Sequence, residues 1–441
     1  MLHSNGNNDM RHIVFKIDEK DTFEFNEADY VVDLTSKDDY HHTFYNTLRP
    51  LYRMANFFQD EALDLFYISL MVYYADRKVL RKEFSDNWTR EFTLYIPVVA
   101  LDKWEKNKTH LEQMISYLSG DIWHINFRKR ELNIKEKKIS DTISNRYTDR
   151  KFDPDKFCML SGGLDSFIGA ADLLLETKNI AFIGHYGGGK GVKPFQDAVN
   201  EILKERFDLN DHQFFNFNAT PVKGVEDSTR TRSLMFFAHA IILASCNQRE
   251  VELYIPENGL ISLNIPLTNS RLGSSSTRTT HPYYMNMLQE LLNNLGLKIK
   301  LCNPYQFKTK GEMMKLSPNK DFISENYHLT MSCSHPDQGR YQKLTKPSHC
   351  GTCLPCTIRR ASINMAFGGD NTDYRDIQYK EPKAIIELRS FRIGMLDYEN
   401  KKMNRFTIQF AGQINDNLDE YISLYERGMK ELGDFLNLQN E

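Results

Sequence analysis

The 441-residue chain has no window approaching the roughly 18 uninterrupted apolar residues of a membrane-spanning helix. Met1 to Met10 hold neither the basic nor the apolar region of a signal peptide. Both absences point to a cytoplasmic protein with no membrane partner. A basic field is missing too: 56 Lys and Arg stand against 59 Asp and Glu, a formal net charge of −3. Proteins held mainly by nucleic-acid phosphates carry a positive excess, so nucleic acid is not indicated and any such contact would be local. A hydrophobic content of 41% with 12% aromatics is that of a globular protein, not of a disordered chain by default, and the length leaves room for two or three domains with a large core. Seven cysteines are an odd number, and four lie between Cys333 and Cys356, which suits a metal site in a reducing compartment better than a disulfide framework.

A Walker A loop is also lacking. Gly184, Gly189 and Lys190 fit Gly-x4-Gly-Lys, but Gly191 stands where Ser or Thr would be needed. What the chain has instead is the run from Lys156 to Phe167, an apolar segment that breaks at Ser161-Gly162-Gly163 and restarts as a helix. Met159 and Leu160 close the apolar run. Leu164, Phe167, Ile168, Ala171, Leu174 and Leu175 recur at helical spacing. The glycines therefore fall where a strand end meets a helix N-terminus, and free N–H groups with the helix dipole favour an anion there. A Ser or Asp cap after a glycine turn would need only one such residue.

Residues 1 to 150 carry no catalytic motif. Strands are expected at Ile13–Ile17, Phe92–Val99 and Trp123–Phe127, a buried helix over Ala62–Tyr74 and another over Trp104–Leu118, which together read as an α+β domain. The charged stretch from Arg128 to Arg150 reads as a linker with a solvated face. From residue 151 strand and helix signals alternate as in a doubly wound parallel α/β sheet, with further strands at Ile180–Gly184, His212–Phe217 and Val251–Ile255. This second domain is expected to run to residue 380, and a helical tail follows over residues 381–441. In the tail, Leu418, Tyr421, Leu424, Tyr425, Met429, Leu432 and Phe435 form an apolar stripe expected to dock on its own domain.

Several polar groups fall at the ends of these elements. Arg230 and Arg232 cluster at the start of a helix reaching Ala244, where the dipole favours an anion; they would otherwise pair with surface acids. Glu257 and Asn258 follow the fourth strand at its C-terminal edge, where ligands of open α/β sheets sit, or else form a polar turn. Leu267 to Pro282 is rich in hydroxyls and includes Arg271, Arg278 and His281, the composition of an active-site cover. Cys333, Cys350, Cys353 and Cys356 offer four thiolates, enough for a closed tetrahedral Zn²⁺ site that staples a loop. The rival is an iron–sulfur cluster, whose pattern wants a fourth cysteine where Arg360 stands.

The hexapeptide from Ser161 to Ser166 resembles the SGGxDS signature of the PP-loop ATP pyrophosphatases, which have the adenine nucleotide α-hydrolase-like fold and cleave ATP between its α- and β-phosphates. The resemblance implies ATP and Mg²⁺ as cofactors. Ser161 and Ser166 would give hydroxyls to the pyrophosphate, and Gly162 and Gly163 backbone amides, flanked by Leu160 and Leu164. Asp165 would lie near the phosphates and their Mg²⁺. It further implies that His185 and Tyr186 border the adenine and that Arg230 and Arg232 face the nucleotide.

The turn Asn303 to Met314, with Lys308 or Lys310 available for phosphate, and the late cysteine site followed by Arg359 resemble the 7-cyano-7-deazaguanine synthase (QueC) family over about residues 152–367. The extra N-terminal domain and the segments at Pro256–Gly259 and Ser276–Pro282 look like QueC-like proteins of bacterial anti-phage systems, the QatC branch. That branch implies a 7-deazapurine carboxylate activated by ATP, an attacking amine, and partner proteins of a defence operon. Two other readings stay open: a PP-loop enzyme modifying tRNA or nucleosides, and a non-enzymatic nucleotide-binding scaffold.

Overall fold

The computed structural model describes residues 10–41, 44–145, 151–186, 191–265, 278–342, 344–401 and 404–438. In chain order the first elements are β1 (Met10–Lys16), β2 (Tyr30–Asp33), β3 (Tyr40–His41), α1 (Phe44–Leu48), α2 (Asp60–Lys78), β4 (Glu91–Val98), α3 (Leu101–Ser119), β5 (Ile122–Lys129) and α4 (Ile134–Ser144). Next come β6 (Lys156–Met159), α5 (Leu164–Leu173), β7 (Ile180–His185), α6 (Lys193–Phe207), β8 (Phe214–Phe217), β9 (Thr220–Pro221), α7 (Arg232–Ser245) and β10 (Val251–Tyr254). The chain ends with α8 (Gly259–Ser262), α9 (Pro282–Leu295), β11 (Ile299–Cys302), α10 (Lys310–Leu316), α11 (Lys320–Asn326), α12 (Leu354–Phe367), α13 (Pro382–Lys401), α14 (Asn404–Thr407) and α15 (Leu418–Leu438).

Two compact units result. One comprises Met1–Asp153, Phe217–Val251 and Asn286–Lys300; the other comprises Pro154–Asn216, Glu252–Met285 and Leu301–Glu441. Residues 217–251 and 286–300, expected with the second domain, thus group with the N-terminal part.

The first unit is built on a four-stranded sheet of order β2-β1-β4-β5 in which β1–β2, β1–β4 and β4–β5 all pair in parallel. The α+β expectation is corrected to parallel α/β. Parallel neighbours need long crossovers, and the buried helix α2 and the amphipathic helix α3 supply them for β1–β4 and β4–β5, while residues 17–29 join β1 to β2 without a helix. Helix α2 is buried continuously from Ala62 to Asp76, as its all-round apolar sequence requires. Pro97 sits inside β4 without harm, because β1 pairs with β4 only as far as Tyr95 and leaves that side of Pro97 without a ladder to break. The stretch read as a linker contains a helix: Asn133 and Glu136 close a reciprocal capping box at the start of α4, and Ile139 and Ile143 are buried.

In the second unit a five-stranded sheet has the order β11-β10-β6-β7-β8. Strand β6 pairs in parallel with both β7 and β10. The chain winds outward from β6 through β7 to β8 and then returns to the other side of β6 through β10 and β11. The order therefore reverses between β6 and β10, and the crevice beyond their C-terminal ends is where ligands of open α/β sheets bind. Below it Cys158, Leu164, Phe167, Ile168, Leu203, Tyr305, Met314 and Ile323 form a buried core, each large side chain contributing about 1.5–3 kcal/mol by burial. Helix α5 stops at Leu173, so Leu175 leaves the expected stripe and is exposed. In the tail, Tyr421, Leu424, Tyr425 and Met429 pack with Leu263 and Ile414, while Leu432 and Phe435 pack with Ala361 and Phe391. The apolar stripe of α15 is docked within its own unit.

Candidate active site

The β6–α5 turn lies at the reversal point of the second sheet. Leu160 N–H donates to the Ile183 carbonyl at 2.7 Å, extending the sheet by one residue before the chain turns. Gly162 has φ +82°, and a Cβ there would meet the Gln196 backbone at 2.9 Å; both the conformation and the close approach require glycine. Gln196 also donates its Nε2 to the Leu160 carbonyl at 3.1 Å, and Met331 N–H donates to the Gly162 carbonyl at 2.9 Å. These contacts hold the loop's carbonyls from behind. Gly163 occupies the N-cap of α5 and brings no capping side chain. The N–H groups of Leu164, Asp165 and Ser166 open the first turn, which has no intrahelical acceptors. The Ser161 and Ser166 hydroxyls lie 3.1 Å apart, and Ser166 Oγ also donates to the Gly163 carbonyl. The turn therefore gathers two hydroxyls, first-turn amides and the positive end of a helix dipole, which suits a multiply charged anion.

Asp165, on that first turn, anchors a buried polar cluster. Its Oδ2 accepts from Asn258 Nδ2 at 2.7 Å and Asn258 N–H at 3.2 Å, and its Oδ1 lies 2.9 Å from Lys310 Nζ. Burial alone would raise the Asp165 carboxyl; the Lys310 ammonium and hydrogen bonds from Glu257, Lys310 and Asn258 overcome it and bring the group down to about 2. Glu257 goes the other way, pushed well above the usual carboxylate range by burial and by the negative charge of Asp165. The two carboxyls are thus pushed apart, Asp165 toward the ionised form by Lys310 and Glu257 toward the protonated one, the division expected of two acids sharing a site. Asn258 also caps α8 through Ile261 N–H at 3.0 Å, so the pair expected at the end of the fourth strand is fixed by backbone structure. Of the two lysines named from the sequence, Lys310 reaches this cluster; Lys308 Nζ stands over the Tyr305 ring at 5.6 Å.

His185 is buried at the end of β7, and Tyr186 follows it with Lys193 Nζ 5.4 Å over its ring. Gly189 and Lys190 lie outside the described residues, as does most of the hydroxyl-rich segment, including Arg271. Arg230 and Arg232 belong to the first unit. There the anion at the start of α7 is Asp76, whose Oδ2 accepts from Arg230 N–H at 2.8 Å, Thr231 N–H at 2.9 Å and Thr231 Oγ1 at 2.8 Å. The Arg230 guanidinium lies 4.7 Å over the Trp88 ring and that of Arg232 4.9 Å over Phe236.

The four cysteines expected to act together do come together. All four Sγ atoms lie within 4.8 Å of one another, with Cys333–Cys353 at 4.0 Å and Cys350–Cys356 at 3.8 Å. A tetrahedral zinc with Zn–S bonds near 2.3 Å has sulfur–sulfur edges of about 3.8 Å, so the set fits one such ion. Backbone N–H groups of His335 and Cys350 point at Cys333 Sγ at 3.3 and 3.4 Å, and that of Cys353 at Cys350 Sγ at 3.3 Å. Donors of this kind stabilise thiolate. His349 bonds the Thr330 carbonyl through Nε2 at 3.0 Å. Arg359 is fully buried and holds Thr330 Oγ1 at 2.8 Å and the Tyr327 carbonyl at 2.7 Å. It fixes the turn that delivers Met331 to Gly162.

Sequence reasoning missed Gln196 and Met331, whose contacts to the loop are made by backbone or amide and leave no motif. It also missed Glu431 of α15, whose carboxylate accepts from Thr309 Oγ1 at 2.6 Å beside Lys310. Residues 279–367, about a fifth of the chain, match the family described as queuosine biosynthesis protein QueC. The matched segment contains Lys310, Arg359 and all four cysteines, and it ends before α13. A search of curated proteins returns no match.

Proposed function

We propose that the chain is an ATP-dependent, AMP- and pyrophosphate-forming enzyme of QueC-like type that activates a 7-deazapurine carboxylate and passes the acyl group to an amine. The observation that carries the proposal is the uncapped β6–α5 turn beside the ionised Asp165. A carboxylate oxygen of the substrate attacks the α-phosphorus, the bond to the bridging oxygen breaks, and pyrophosphate leaves. The amine then attacks the acyl carbon of the mixed anhydride, AMP departs, and the amine loses a proton. The larger developing charge is on pyrophosphate. The first-turn amides of α5 are the donors open to it, and the Ser161 and Ser166 hydroxyls, bonded to one another and to the Gly163 carbonyl in the free turn, would be redirected to it. Asp165 is already neutralised by Lys310 and bonded by Asn258, whose own oxygen caps α8, so this cluster offers a Mg²⁺ carried with the nucleotide no free ligand set; the charge the cluster supplies at the phosphates is that of Lys310.

The four sulfurs are the ligands of one Zn²⁺ in this reading. Their close spacing holds a single ion and leaves no open position, so the site staples the Met331 turn and the start of α12 without acting in the reaction. Outside the metal set, the thiols a sulfur-transferring tRNA-modifying enzyme would need are ill placed: Cys158 and Cys246 are fully buried with both thiols pushed far up, and Cys302 is partly buried with its Sγ toward Glu252. The protein fits a bacterial anti-phage system in which the amine belongs to a partner protein, with the first unit as the region of partner recognition. Incubation with ATP, 7-carboxy-7-deazaguanine and either ammonia or candidate partner proteins, read by mass spectrometry, tests this: an amide on one of them is expected, and consumption of neither ATP nor carboxylate would refute it.

A further inference from the structure

The turn that presents Lys310 is held from both sides by α15. Thr309 and Glu312 form a reciprocal capping box at the start of α10, with Glu312 N–H to Thr309 Oγ1 at 3.1 Å and Thr309 N–H to Glu312 Oε2 at 2.9 Å. Two residues one turn apart on α15 engage both halves of that box. Glu431 takes the Thr309 hydroxyl proton at 2.6 Å, which leaves the oxygen's lone pairs free to cap Glu312. It also accepts from the Ser362 hydroxyl of α12 and from the Gly311 N–H. Arg427 donates Nε to Glu312 Oε1 at 2.6 Å and Nη2 to the Phe307 carbonyl at 2.7 Å. Gly311 is shaped by the same contact, since a Cβ there would come within 2.7 Å of Glu431 Oε2. Lys310 lies between these contacts, is buried, and puts its Nζ 2.9 Å from Asp165 Oδ1 on the first turn of α5.

We propose that Glu431 is a positioning residue for the phosphate loop, acting through the Thr309–Glu312 cap to fix the Lys310 ammonium against Asp165. The C-terminal helix is then part of the site's support, outside the segment that matches QueC. The inference rests on the reading of Asp165 as a nucleotide-binding residue for its consequence, but the geometric step stands apart from ATP chemistry. A buried carboxylate that meets two hydroxyls and an amide on two other elements, the start of α10 and α12, has the form of a support shell, which fixes the rotamers of groups touching ligand.

The test is lysine labelling with an N-hydroxysuccinimide ester, followed by peptide mass spectrometry. Exposed Lys315 on the same helix serves as the internal reference, and melting temperature is recorded for each variant. In the wild type Lys310, buried against Asp165, is expected to label slowly. Glu431→Ala is expected to raise Lys310 labelling relative to Lys315 by about tenfold or more, and Glu431→Gln, which keeps acceptor oxygen, by less. Leu436→Ala removes a buried α15 side chain that packs with Phe391 and Phe435, and is expected to lower stability without changing the Lys310 ratio. Equal increases in Glu431→Ala and Leu436→Ala, or no increase in Glu431→Ala, would overturn the proposal. A second arm adds Mg·ATP to the wild type. Protection of Lys310 and its partial loss in Glu431→Ala are expected. Absence of protection in the wild type, with the labelling ratios as predicted, counts against the nucleotide reading and leaves the positioning of Lys310 established.

Discussion

Two strand-to-helix turns that each follow a strand of a parallel sheet, β4–α3 in the first unit and β6–α5 in the second, end in opposite ways. At β4–α3 the unit supplies its own anion: Asp64 of α2 accepts from Val99 N–H at 2.8 Å, Ala100 N–H at 2.8 Å and the Trp104 indole at 3.0 Å. The start of α7 repeats the device with Asp76. At β6–α5 the helix start is capped by a glycine, and the neighbouring carboxylate, Asp165, is turned to Asn258 and Lys310. Helix starts attract negative charge wherever they occur. A turn whose partner is an internal carboxylate is finished by folding, whereas one lined with glycine and hydroxyls keeps its first-turn amides without an internal carboxylate, as the proposed nucleotide site requires.

The comparison is broken most severely at the open turn. Ser161→Ala and Asp165→Asn are each expected to leave a folded protein that forms AMP and pyrophosphate roughly 10²–10³-fold more slowly, about 3–4 kcal/mol of transition-state stabilisation; steady-state pyrophosphate release measures it. Emptying the filled turn acts on stability instead. Asp64→Ala leaves two part-buried N–H groups and a buried indole without their acceptor, and urea denaturation should show a loss of about 2–3 kcal/mol.

Proton linkage sharpens the same contrast. Burial, against hydrogen bonds from Ala100 and Val99, raises the Asp64 carboxyl from 3.8 to about 6. The folded state therefore binds this proton more tightly than the unfolded chain. The stability it contributes is complete below about pH 4 and is lost as pH rises to about 6, a change of about 2–3 kcal/mol. Asp64→Asn should flatten that part of the pH–stability curve, and an unchanged curve would mean Asp64 does not titrate there. The smallest effect is expected from Gly163→Ser, which gives α5 the cap it lacks. Thermal stability should rise by a few tenths of a kcal/mol, and ATP affinity should fall because the new hydroxyl competes for the first-turn amides.

How much of this was legible in the sequence depended on whether a residue acts through local pattern or through tertiary approach. The Ser161–Ser166 turn and the cysteine set are visible because spacing along the chain fixes their geometry. The parallel order of the first sheet was not, because hydrophobic runs at β1, β4 and β5 announce strands without saying which way neighbours run. The helix α4 was hidden by its lysines, although the Asn133–Glu136 cap spells its start. The start of α7 calls for an anion, and the carboxylate that meets its backbone N–H groups is Asp76, more than 150 positions away in the chain, so no local signal names it. Lys310 and Lys308 are equivalent in sequence, and only the capping box that makes Lys310 the first residue of α10 separates them.

The central claim is that the open β6–α5 turn holds the pyrophosphate of ATP while the α-phosphorus is attacked. Phosphorus NMR of wild-type protein with Mg·ATP and 7-carboxy-7-deazaguanine, with Ser161→Ala alongside, tests it most directly. The account predicts AMP and pyrophosphate in equal amounts from the wild type and far slower formation of both from the variant. Release of ADP and phosphate by the wild type, or equal rates from the two proteins, would contradict it.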